Sequence, residues 1–269
     1  MNPNFKADLH IHSTYSDGSC TPLQILKKAK EIGLSALSIT DHDTIDAYTD
    51  DFFMQAKEHD LLILCGIEIS CRYLKQDIHI LGYGFDLNSS SFRVFLKKIQ
   101  NFRKHRNELI LKKFHEKGID LTVEELGSME TIGRPHFAKA LVERNIVSTF
   151  QEAFHKYLHD GGPCWVSTSK MDPLLAIEAL HQAGGKAVLA HPFFIKDQVL
   201  FQRLLQMPFD GLETYYGKIG FEQDKKMVRI AKEKKWILTG GSDFHGDVKP
   251  HILLGCSWIG YESFQRLQS

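Results

Sequence analysis

The sequence predicts an α/β fold in which strands alternate with helices, with one all-helical insertion. Apolar, β-rich runs alternate with helical patterns before residue 87 and again after residue 164, which is typical of parallel strands joined by crossover helices. Between these limits only helical patterns occur, over a length that a simple loop rarely reaches. We therefore predict a first α/β part at residues 1–86, a helical insertion at 87–164 and a second α/β part at 165–269.

The strands are predicted from short apolar runs that are bounded by polar or turn residues. Helical patterns separate most of these runs, so we expect the strands to be parallel. The runs are Ala7–His12, Ala36–Thr40, Leu62–Ile69, Ile78–Phe85, Ala187–Ala190, Gly211–Tyr215, Trp236–Thr239 and Leu253–Trp258.

The first helix carries clear start and stop signals. Thr21 is a good N-cap, Pro22 fits the first helical position, and Gln24 completes a capping box. Gly33 is a natural residue just beyond the C-terminus of this helix. The other helices between strands are predicted from Asp172-Pro173 to Gly184-Gly185 and over Lys218–Lys235.

The insertion is predicted to contain helices alone and to lie above one edge of the α/β part. No strand-like run interrupts it. Its predicted helices are Ser89–Lys117, Thr122–Met129, Pro135–Glu143 and Phe150–Leu158.

Composition and charge exclude several classes of protein. The 269 residues contain 33 Lys and Arg and 33 Asp and Glu, so no overall basic field indicates nucleic-acid binding, although a local basic patch stays open. The first six residues lead directly into a predicted strand, and no apolar run is long enough to span a membrane. The five cysteines lack CxxC spacing, which favours reduced thiols. We therefore expect a cytoplasmic protein without a membrane partner.

Nine potential metal ligands lie at the ends of predicted strands, and they are the strongest functional signal in the chain. His10 and His12 are two residues apart on one strand, so both side chains point to the same face and can share one ion. Imidazole and carboxylate groups together suit divalent Zn, Mn or Fe. The nine candidates are His10, His12, Asp17, His42, Glu68, His79, His191, Asp243 and His245.

The combination of these residues decides between a metal site and ordinary histidines. Alone, His10 and His12 would more often be two packed or solvated side chains. Several strands that each supply His, Glu or Asp argue against chance, because strand ends converge at the mouth of a (β/α) barrel, where active sites form. Asp41 and Asp43 flank His42 and stay ambiguous: they either orient it, or Asp43 caps the next helix.

The motifs that contain these residues resemble those of the PHP family, the polymerase and histidinol phosphatase superfamily of metal-dependent phosphoesterases. The matching segments are DLHIHSTYSDG, ITDHD, GIEIS, HILGYG, AHP and GSDFH, which extend from Asp8 to His245. The resemblance implies a distorted (β/α)7 barrel that holds three divalent metal ions, and it does not fix their identity as Mn, Fe or Zn.

The resemblance also implies how the ligands are shared among the ions, and no ligand position is lost in this chain. The first ion would be held by His10, His12, Glu68 and Asp243, the second by Glu68 as a bridge with His79 and His191, and the third by Asp17, His42 and His245.

Within the family, the chain is most similar to the 3′,5′-nucleoside bisphosphate phosphatases and the RNase AM type of 5′–3′ exoribonuclease, which also carry a helical insertion. The segment GRPHFAKAL at residues 133–141 matches a motif of that insertion. It makes Arg134 and His136 candidates for substrate binding and catalysis, because the arginine fork suits phosphate. Lys156 is a weaker candidate for a phosphate contact. The alternative is a surface arginine and a histidine at a helix start.

The predicted reaction is hydrolysis of a phosphomonoester or a terminal phosphodiester by metal-activated water. The expected substrates are nucleoside 3′,5′-bisphosphates or the 5′ ends of short RNA. Two alternatives stay open, namely a phosphatase for another small ester such as histidinol phosphate and a non-catalytic PHP module that stabilises a polymerase. The sequence implies no stable protein partner and gives no oligomeric state.

Overall fold

The computed structural model has the predicted α/β architecture and describes residues 4–129, 131–167, 170–217 and 221–268, with only the backbone of 221–223. The strands are β1 (Ala7–Ile11), β2 (Ala36–Ile39), β3 (Leu62–Ile63), β4 (Gly66–Tyr73), β5 (Gln76–Tyr83), β6 (Lys186–Leu189), β7 (Gly211–Tyr216) and β8 (Ile237–Gly241). The helices are α1 (Pro22–Glu31), α2 (Asp50–Glu58), α3 (Ser90–His115), α4 (Val123–Leu126), α5 (Arg134–Glu143), α6 (Phe150–Ala153), α7 (Pro173–Gln182), α8 (Gln198–Leu204), α9 (Phe221–Lys234) and α10 (Tyr261–Gln268).

The strands form two sheets that isolated bridges connect to each other. In the first sheet β1, β2 and β3 are parallel; the second has the order β4-β5-β6-β7-β8, in which β6, β7 and β8 are parallel. Ile11 forms a bridge with Phe244 beyond β8, and His42 forms a bridge with Glu68 of β4. The strands are therefore linked in a ring, which is compatible with the predicted barrel.

The prediction that neighbouring strands are parallel is wrong for β4 and β5. These strands form an antiparallel hairpin, and β5 is also antiparallel to β6. Leu74 and Lys75 make the turn with φ angles of 47° and 68°. Positive φ at both central residues is the geometry of the tightest hairpin turns, which usually contain Asn or Gly. Leu74 and Lys75 are neither, so no turn signal is visible here.

Two predicted strands differ in the structure. The run Leu62–Ile69 is split between β3 and β4. The run Leu253–Trp258 is not a strand; it forms turns in which Gly255 has a φ of 72° and donates its N–H to the carboxylate of Asp8 at 2.8 Å. The chain makes an antiparallel bridge to β1 one residue later, between Ile259 and Ala7.

The predicted helix signals between the strands are confirmed. Thr21 accepts the N–H of Gln24 at 3.3 Å, and the side chain of Gln24 accepts the N–H of Thr21 at 2.8 Å. Asp172 caps α7 by accepting the N–H of Leu174 at 2.8 Å. Residues 218–220 of the predicted helix Lys218–Lys235 lie outside the described residues, and the remainder forms α9. No helix in the described ranges is long and apolar enough to cross a membrane.

The helices of the insertion occur where the sequence predicts them, and α3 connects their core to that of the strands. Phe92 and Ile99 on the first half of α3 pack in the cluster that contains Ile67 and Ile80 of the hairpin. The second half supplies Ile110 and Phe114 to a separate cluster with Phe137, Leu141 and Leu158. The predicted helix Thr122–Met129 is shorter, and Phe150–Leu158 consists of α6 and a π-helical turn at Phe154–Leu158. The division into domains stays a prediction.

Candidate metal centre

The structure brings all nine predicted ligands together, and the carboxylate of Glu68 lies at their centre. Five imidazole nitrogens surround its two oxygens, so this carboxylate can bridge two cations. Its Oε2 lies 3.3 Å from His10 Nε2, 3.1 Å from His12 Nε2 and 3.2 Å from His42 Nδ1, and its Oε1 lies 2.8 Å from His79 Nδ1 and 2.9 Å from His191 Nε2.

Two aspartates complete the cluster: Asp243 shares two ring nitrogens with Glu68, and both aspartates contact His245. Asp243 Oδ1 lies 3.5 Å from His10 Nε2, 3.3 Å from His12 Nε2 and 3.4 Å from His245 Nδ1. Asp17 Oδ1 lies 3.3 Å from His245 Nε2 and 3.5 Å from His12 Nδ1, and Asp17 Oδ2 lies 3.8 Å from His42 Nε2.

The hairpin register explains how Glu68 and His79 meet. Glu68 is opposite Leu81, and His79 is opposite Ser70. Residues opposite each other share a face of the sheet, and so do residues two apart on one strand, so Glu68 and His79 are diagonal neighbours on one face. Both ligands lie within their strands, so the expectation that every ligand closes a parallel strand is wrong for this pair.

Three ring nitrogens in the cluster have no ordinary hydrogen-bond partner. His10 Nε2, His12 Nε2 and His42 Nδ1 are buried and accept or donate no hydrogen bond in the described structure. Such atoms are costly to bury, because a buried polar atom without a partner keeps its full desolvation cost. A divalent cation would remove that cost by accepting the nitrogen lone pairs.

The spacing of the ligand atoms also fits metal ions. Two ligands about 2.1 Å from one tetrahedral ion lie about 3.4 Å apart. Among the described residues, groups whose ligand atoms all lie within 4.8 Å of one another are His12, Asp17, His42 and His245; His10, His12 and Asp243; and His42, Glu68 and His79. The residues present therefore suit divalent metal binding.

The three carboxylates stay ionised although they are buried. Burial alone would raise the pKa of each, but nearby histidines outweigh it and hold the pKa of Glu68 and of Asp17 well below the usual range. For Asp243, burial is likewise outweighed, first by Lys249, whose ammonium lies 2.7 Å from Oδ2, and then by His245. The site thus offers three negative charges to a cation.

The histidines differ in their readiness to bind a metal. Burial lowers the pKa of His42 and of His245, which favours the neutral form that a metal requires. Burial would also lower the pKa of His12, but the adjacent carboxylates of Asp243 and Glu68 outweigh it and raise the value to about 9. Metal binding should therefore release a proton from His12 at neutral pH.

A buried carboxylate that the sequence analysis missed supports two of the ligands. Glu213 on β7 is fully buried, and its Oε1 lies 2.8 Å from His10 Nδ1. Its Oε2 accepts the N–H of His191 at 2.5 Å. Carboxylates in this position commonly fix the ring orientation of metal-binding histidines. The available signal was a single acidic residue inside the otherwise uncharged, buried strand GLETYY.

Asp41 and Asp43 organise the surroundings of the cluster. Asp41 accepts hydrogen bonds from the N–H of Ser13 at 2.7 Å and from the hydroxyls of Ser13 and Ser16, so it shapes the loop after β1. Asp43 pairs with Arg103 and accepts the N–H of Ser70 at 2.7 Å. The interpretation of Asp43 as a helix cap is wrong, because Thr49 caps α2.

The three predicted substrate residues occupy different places. Arg134 lines the same cavity as the cluster, and its Nη1 donates to Asp160 at 2.5 Å and to the carbonyl of Leu158 at 3.1 Å. His136 lines a neighbouring cavity, and its Nδ1 accepts the N–H of Gly133 at 3.1 Å, which caps α5. Lys156 is half-exposed, pairs with Glu152 at 2.5 Å and does not line the cavity beside the cluster.

The cavity beside the cluster, of about 280 Å³, lies between the strands and the insertion. One wall carries metal-type ligands together with Tyr216 and Lys249. The other wall is supplied by the insertion and carries three guanidinium groups, those of Arg103, Arg106 and Arg134. Arg103 and Arg106 were not predicted from the sequence, because they lie in the charged segment RKHRNE, which is typical of a solvated helix face. A cation-binding wall that faces an anion-binding wall suits a phosphate ester bound to metal.

This fold and site define a class of α/β proteins with a buried histidine–carboxylate metal centre, and comparison with known proteins identifies the family. The PHP domain family model matches residues 8–160. The 5′-3′ exoribonuclease of Haemophilus influenzae is 32% identical over 263 residues, which cover 94% of this chain and 92% of that protein. The 3′,5′-nucleoside bisphosphate phosphatase of Chromobacterium violaceum is 30% identical over 248 residues, covering 88% of this chain and 86% of that protein.

A solved structure gives the same result. A protein from Bifidobacterium adolescentis, whose name provisionally assigns it to the metal-dependent phosphoesterases, superposes with a TM-score of 0.88 at 26% identity, covering 98% of this chain and 96% of that one. The chain therefore belongs to the PHP domain family. The predictions of the family and of a hydrolase for phosphate esters are confirmed.

Proposed function

We propose that the protein is a metal-dependent phosphoesterase that acts on nucleoside 3′,5′-bisphosphates, on the 5′ ends of short RNA, or on both. The observation that carries this proposal is that the histidine–carboxylate cluster and three arginines face each other across one cavity. The names of the Haemophilus and Chromobacterium relatives support these two substrate classes.

The proposed metal content is three divalent ions, with Mn, Fe and Zn as candidates. Glu68 would bridge two of them, since each of its oxygens faces a different set of imidazoles. The three groups of ligand atoms support three sites, although His12 and His42 each belong to two of these groups. The ions would be held by His10, His12, Glu68 and Asp243; by Glu68, His79 and His191; and by Asp17, His42 and His245. Bound ions of this kind act as Lewis acids and lower the pKa of water towards 7.

The residues of the chain itself bind the phosphate and hold its orientation. The guanidinium groups of Arg103, Arg106 and Arg134 line the cavity opposite the cluster, where they can bind phosphate groups of the substrate. The hydroxyl of Tyr216 donates to Asp243 Oδ2 at 2.5 Å, and burial raises the pKa of Tyr216, so this phenol keeps its proton and fixes the carboxylate. His136 as proton donor to the leaving oxygen stays a prediction, and its place in the first turn of α5, lining a neighbouring cavity, does not favour it.

Metal analysis and a substrate panel test the proposal. The protein is purified without chelator, analysed for metals, reconstituted with each candidate ion and assayed with a nucleoside 3′,5′-bisphosphate, 5′-phosphorylated RNA, histidinol phosphate and an aryl phosphate. Preference for either nucleotide substrate supports the proposal. Preference for histidinol phosphate would instead show that the protein is a phosphatase for a different small ester. Protein that binds metal but hydrolyses none of the substrates would be a non-catalytic PHP module. The cytoplasmic location and the lack of a stable protein partner stay predictions.

A further inference from the structure

Phe194 is the most exposed Phe, Tyr or Trp among the side chains that the structure describes, and it lies beside the candidate metal centre. Its exposed fraction is 57%, although Phe is among the residue types that are most often buried. Its ring lines the cavity beside the cluster and also a neighbouring cavity of about 380 Å³, so it borders both. An exposed ring at this place suits contact with a ligand.

The backbone and the neighbouring rings hold Phe194 in position. His191 has a φ of 27°, and its carbonyl accepts the N–H of Phe194 at 3.1 Å, so the chain turns sharply just after β6. Phe193 packs against the hydrophobic core. The ring of Phe194 lies 5.4 Å from that of Tyr216, at a right angle, and 5.7 Å from that of His191. A ring that is already held in place loses little conformational freedom when a flat ligand stacks on it.

The other large aromatic rings of this cavity are less available to a ligand. Tyr216 is buried, and its hydroxyl donates to Asp243. Phe154, on the insertion wall, is partly buried, and the guanidinium of Arg134 lies 5.9 Å from its ring. Among the described Phe and Tyr rings that line the cavity, Phe194 therefore has the most open surface.

A nucleobase is the ligand that suits this ring and its surroundings. Bases of every type stack on aromatic side chains, because each of them has a flat π-face. The neighbouring cavity is also lined by Lys75, Gln76 and Asp160, which offer hydrogen-bond donors and acceptors to the edge of a base. Its volume lies in the range of roughly 300–1,000 Å³ that is common for ligand pockets.

We propose that Phe194 stacks on the nucleobase of the nucleotide whose phosphate is bound at the metal centre. This inference rests on the proposed function and specifies how the protein recognises a part of the substrate other than phosphate. Stacking depends on the flat face of a base and hardly on its hydrogen-bonding edge, so all four bases should be accepted. The contact is the same for a nucleoside bisphosphate and for the first nucleotide of an RNA, because both carry base and phosphate on one ribose.

The test compares Phe194→Ala and Phe194→Tyr with a matched control. The control is Val199→Ala, which shortens an apolar side chain of α8 that is 63% exposed and lines neither cavity. Metal-reconstituted proteins are assayed with a nucleoside 3′,5′-bisphosphate and with 1-deoxyribose 3,5-bisphosphate, which has the same sugar and phosphates but no base. The ratio of the two kcat/KM values measures what the base contributes.

A second measurement follows binding without turnover. The ligand is a 2-aminopurine nucleoside whose two phosphates are replaced by methylenephosphonates that the enzyme cannot hydrolyse. The fluorescence of 2-aminopurine falls when the base stacks on an aromatic ring, so a titration of the metal-reconstituted protein gives both the quenching and the Kd.

For Phe194→Ala we expect the kcat/KM ratio to fall about 5- to 100-fold, the range that stacking of one base on one aromatic side chain contributes. The quenching of 2-aminopurine should be largely lost and its Kd should rise by a similar factor. Phe194→Tyr keeps an aromatic face, so it should retain both the ratio and the quenching. Val199→Ala should behave like the wild type.

The proposal is overturned if Phe194→Ala changes the ratio no more than Val199→Ala does, or if Phe194→Tyr behaves like Phe194→Ala. Equal losses for the substrates with and without a base would also overturn it, because the ring would then act by positioning His191. A wild-type protein that hydrolyses neither nucleoside bisphosphates nor 5′-phosphorylated RNA would instead refute the proposed function. Quenching that depends on Phe194 would still support the stacking site in that case, so the two failures are distinguishable.

Discussion

Glu213→Gln tests whether a residue that touches no metal controls the metal centre. Glu213 Oε1 lies 2.8 Å from His10 Nδ1, while Oε2 accepts the N–H of His191. With Nδ1 held in this way, the other ring nitrogen of His10 points towards Glu68 at 3.3 Å. One carboxylate on β7 thus positions His10, a ligand on β1, and His191, a ligand just after β6.

The magnitude follows from these two hydrogen bonds. A glutamine has one acceptor oxygen, so its NH₂ group must face either the Nδ1–H of His10 or the N–H of His191, and one of the two bonds is lost. Loss of such a supporting contact typically lowers metal affinity or activity about 10- to 100-fold, or about 1.4–2.7 kcal/mol. We expect this loss for Glu213→Gln without a change of fold.

The assay is competition for metal between the protein and a chromophoric chelator, together with kcat/KM on an aryl phosphate. The control is Glu233→Gln, which removes an exposed carboxylate of α9 that is 68% exposed and 3.8 Å from Arg229. If Glu213→Gln binds metal as tightly as the control and has the same turnover, then Glu213 does not position the ligands and the reasoning is refuted.

Three other changes test separate parts of the site. Glu68→Gln should remove most activity and lower the metal content while circular dichroism shows a retained fold, because a neutral amide is a poor bridge between cations; normal turnover at full metal content would contradict this. Arg134→Ala should leave the metal content unchanged and lower kcat/KM about 10- to 100-fold, more for two-phosphate substrates than for an aryl phosphate; equal losses would place Arg134 at the scissile phosphate, and no loss would make it a surface residue. Burial lowers the pKa of His136 below its usual 6.5, so the folded state takes up fewer protons than the unfolded state. The contribution of His136 to stability is therefore lost as the pH falls through 6.5, the pKa of the unfolded state. The free energy of unfolding, from denaturant titrations, should therefore fall more between about pH 7 and pH 5 for wild type than for His136→Asn, which keeps an acceptor for Gly133, and parallel profiles would disprove this.

The ligand cluster could be predicted from the sequence because its chemistry depends on residue type and on the position of each residue relative to a strand. The path of the chain between the ligands was harder to predict. The turn of the β4–β5 hairpin consists of Leu74 and Lys75. Their positive φ angles are not preferred by these residue types and result from the pairing of the two strands. The apolar run at residues 253–258 matches a strand in composition. In the structure the carboxylate of Asp8 instead accepts the N–H of Gly255, and this hydrogen bond stabilises a turn.

The residues that could not be predicted from the sequence are those whose role depends on contacts made only in the folded protein. Glu213 carries no motif of its own, and its role depends on the contacts with His10 and His191 that only the folded sheet creates. Arg103 and Arg106 lie in a charge-rich helix, where such residues are usually solvated. Both are buried because α3 crosses from the core of the strands to the core of the insertion.

The two halves of the cavity have opposite charge preferences, and this explains why the insertion matters for function. Glu68, Asp17 and Asp243 keep their negative charge in the strand wall, so cations are favoured there. Burial, together with repulsion from Arg103 and Arg134, lowers the pKa of Arg106 in the insertion wall, so anions are favoured on that side. A free metal ion or a free phosphate satisfies one wall alone. A phosphate ester bound to metal satisfies both, so we expect the α3 arginines to select substrates by their phosphate groups while the strands supply the metal ligands.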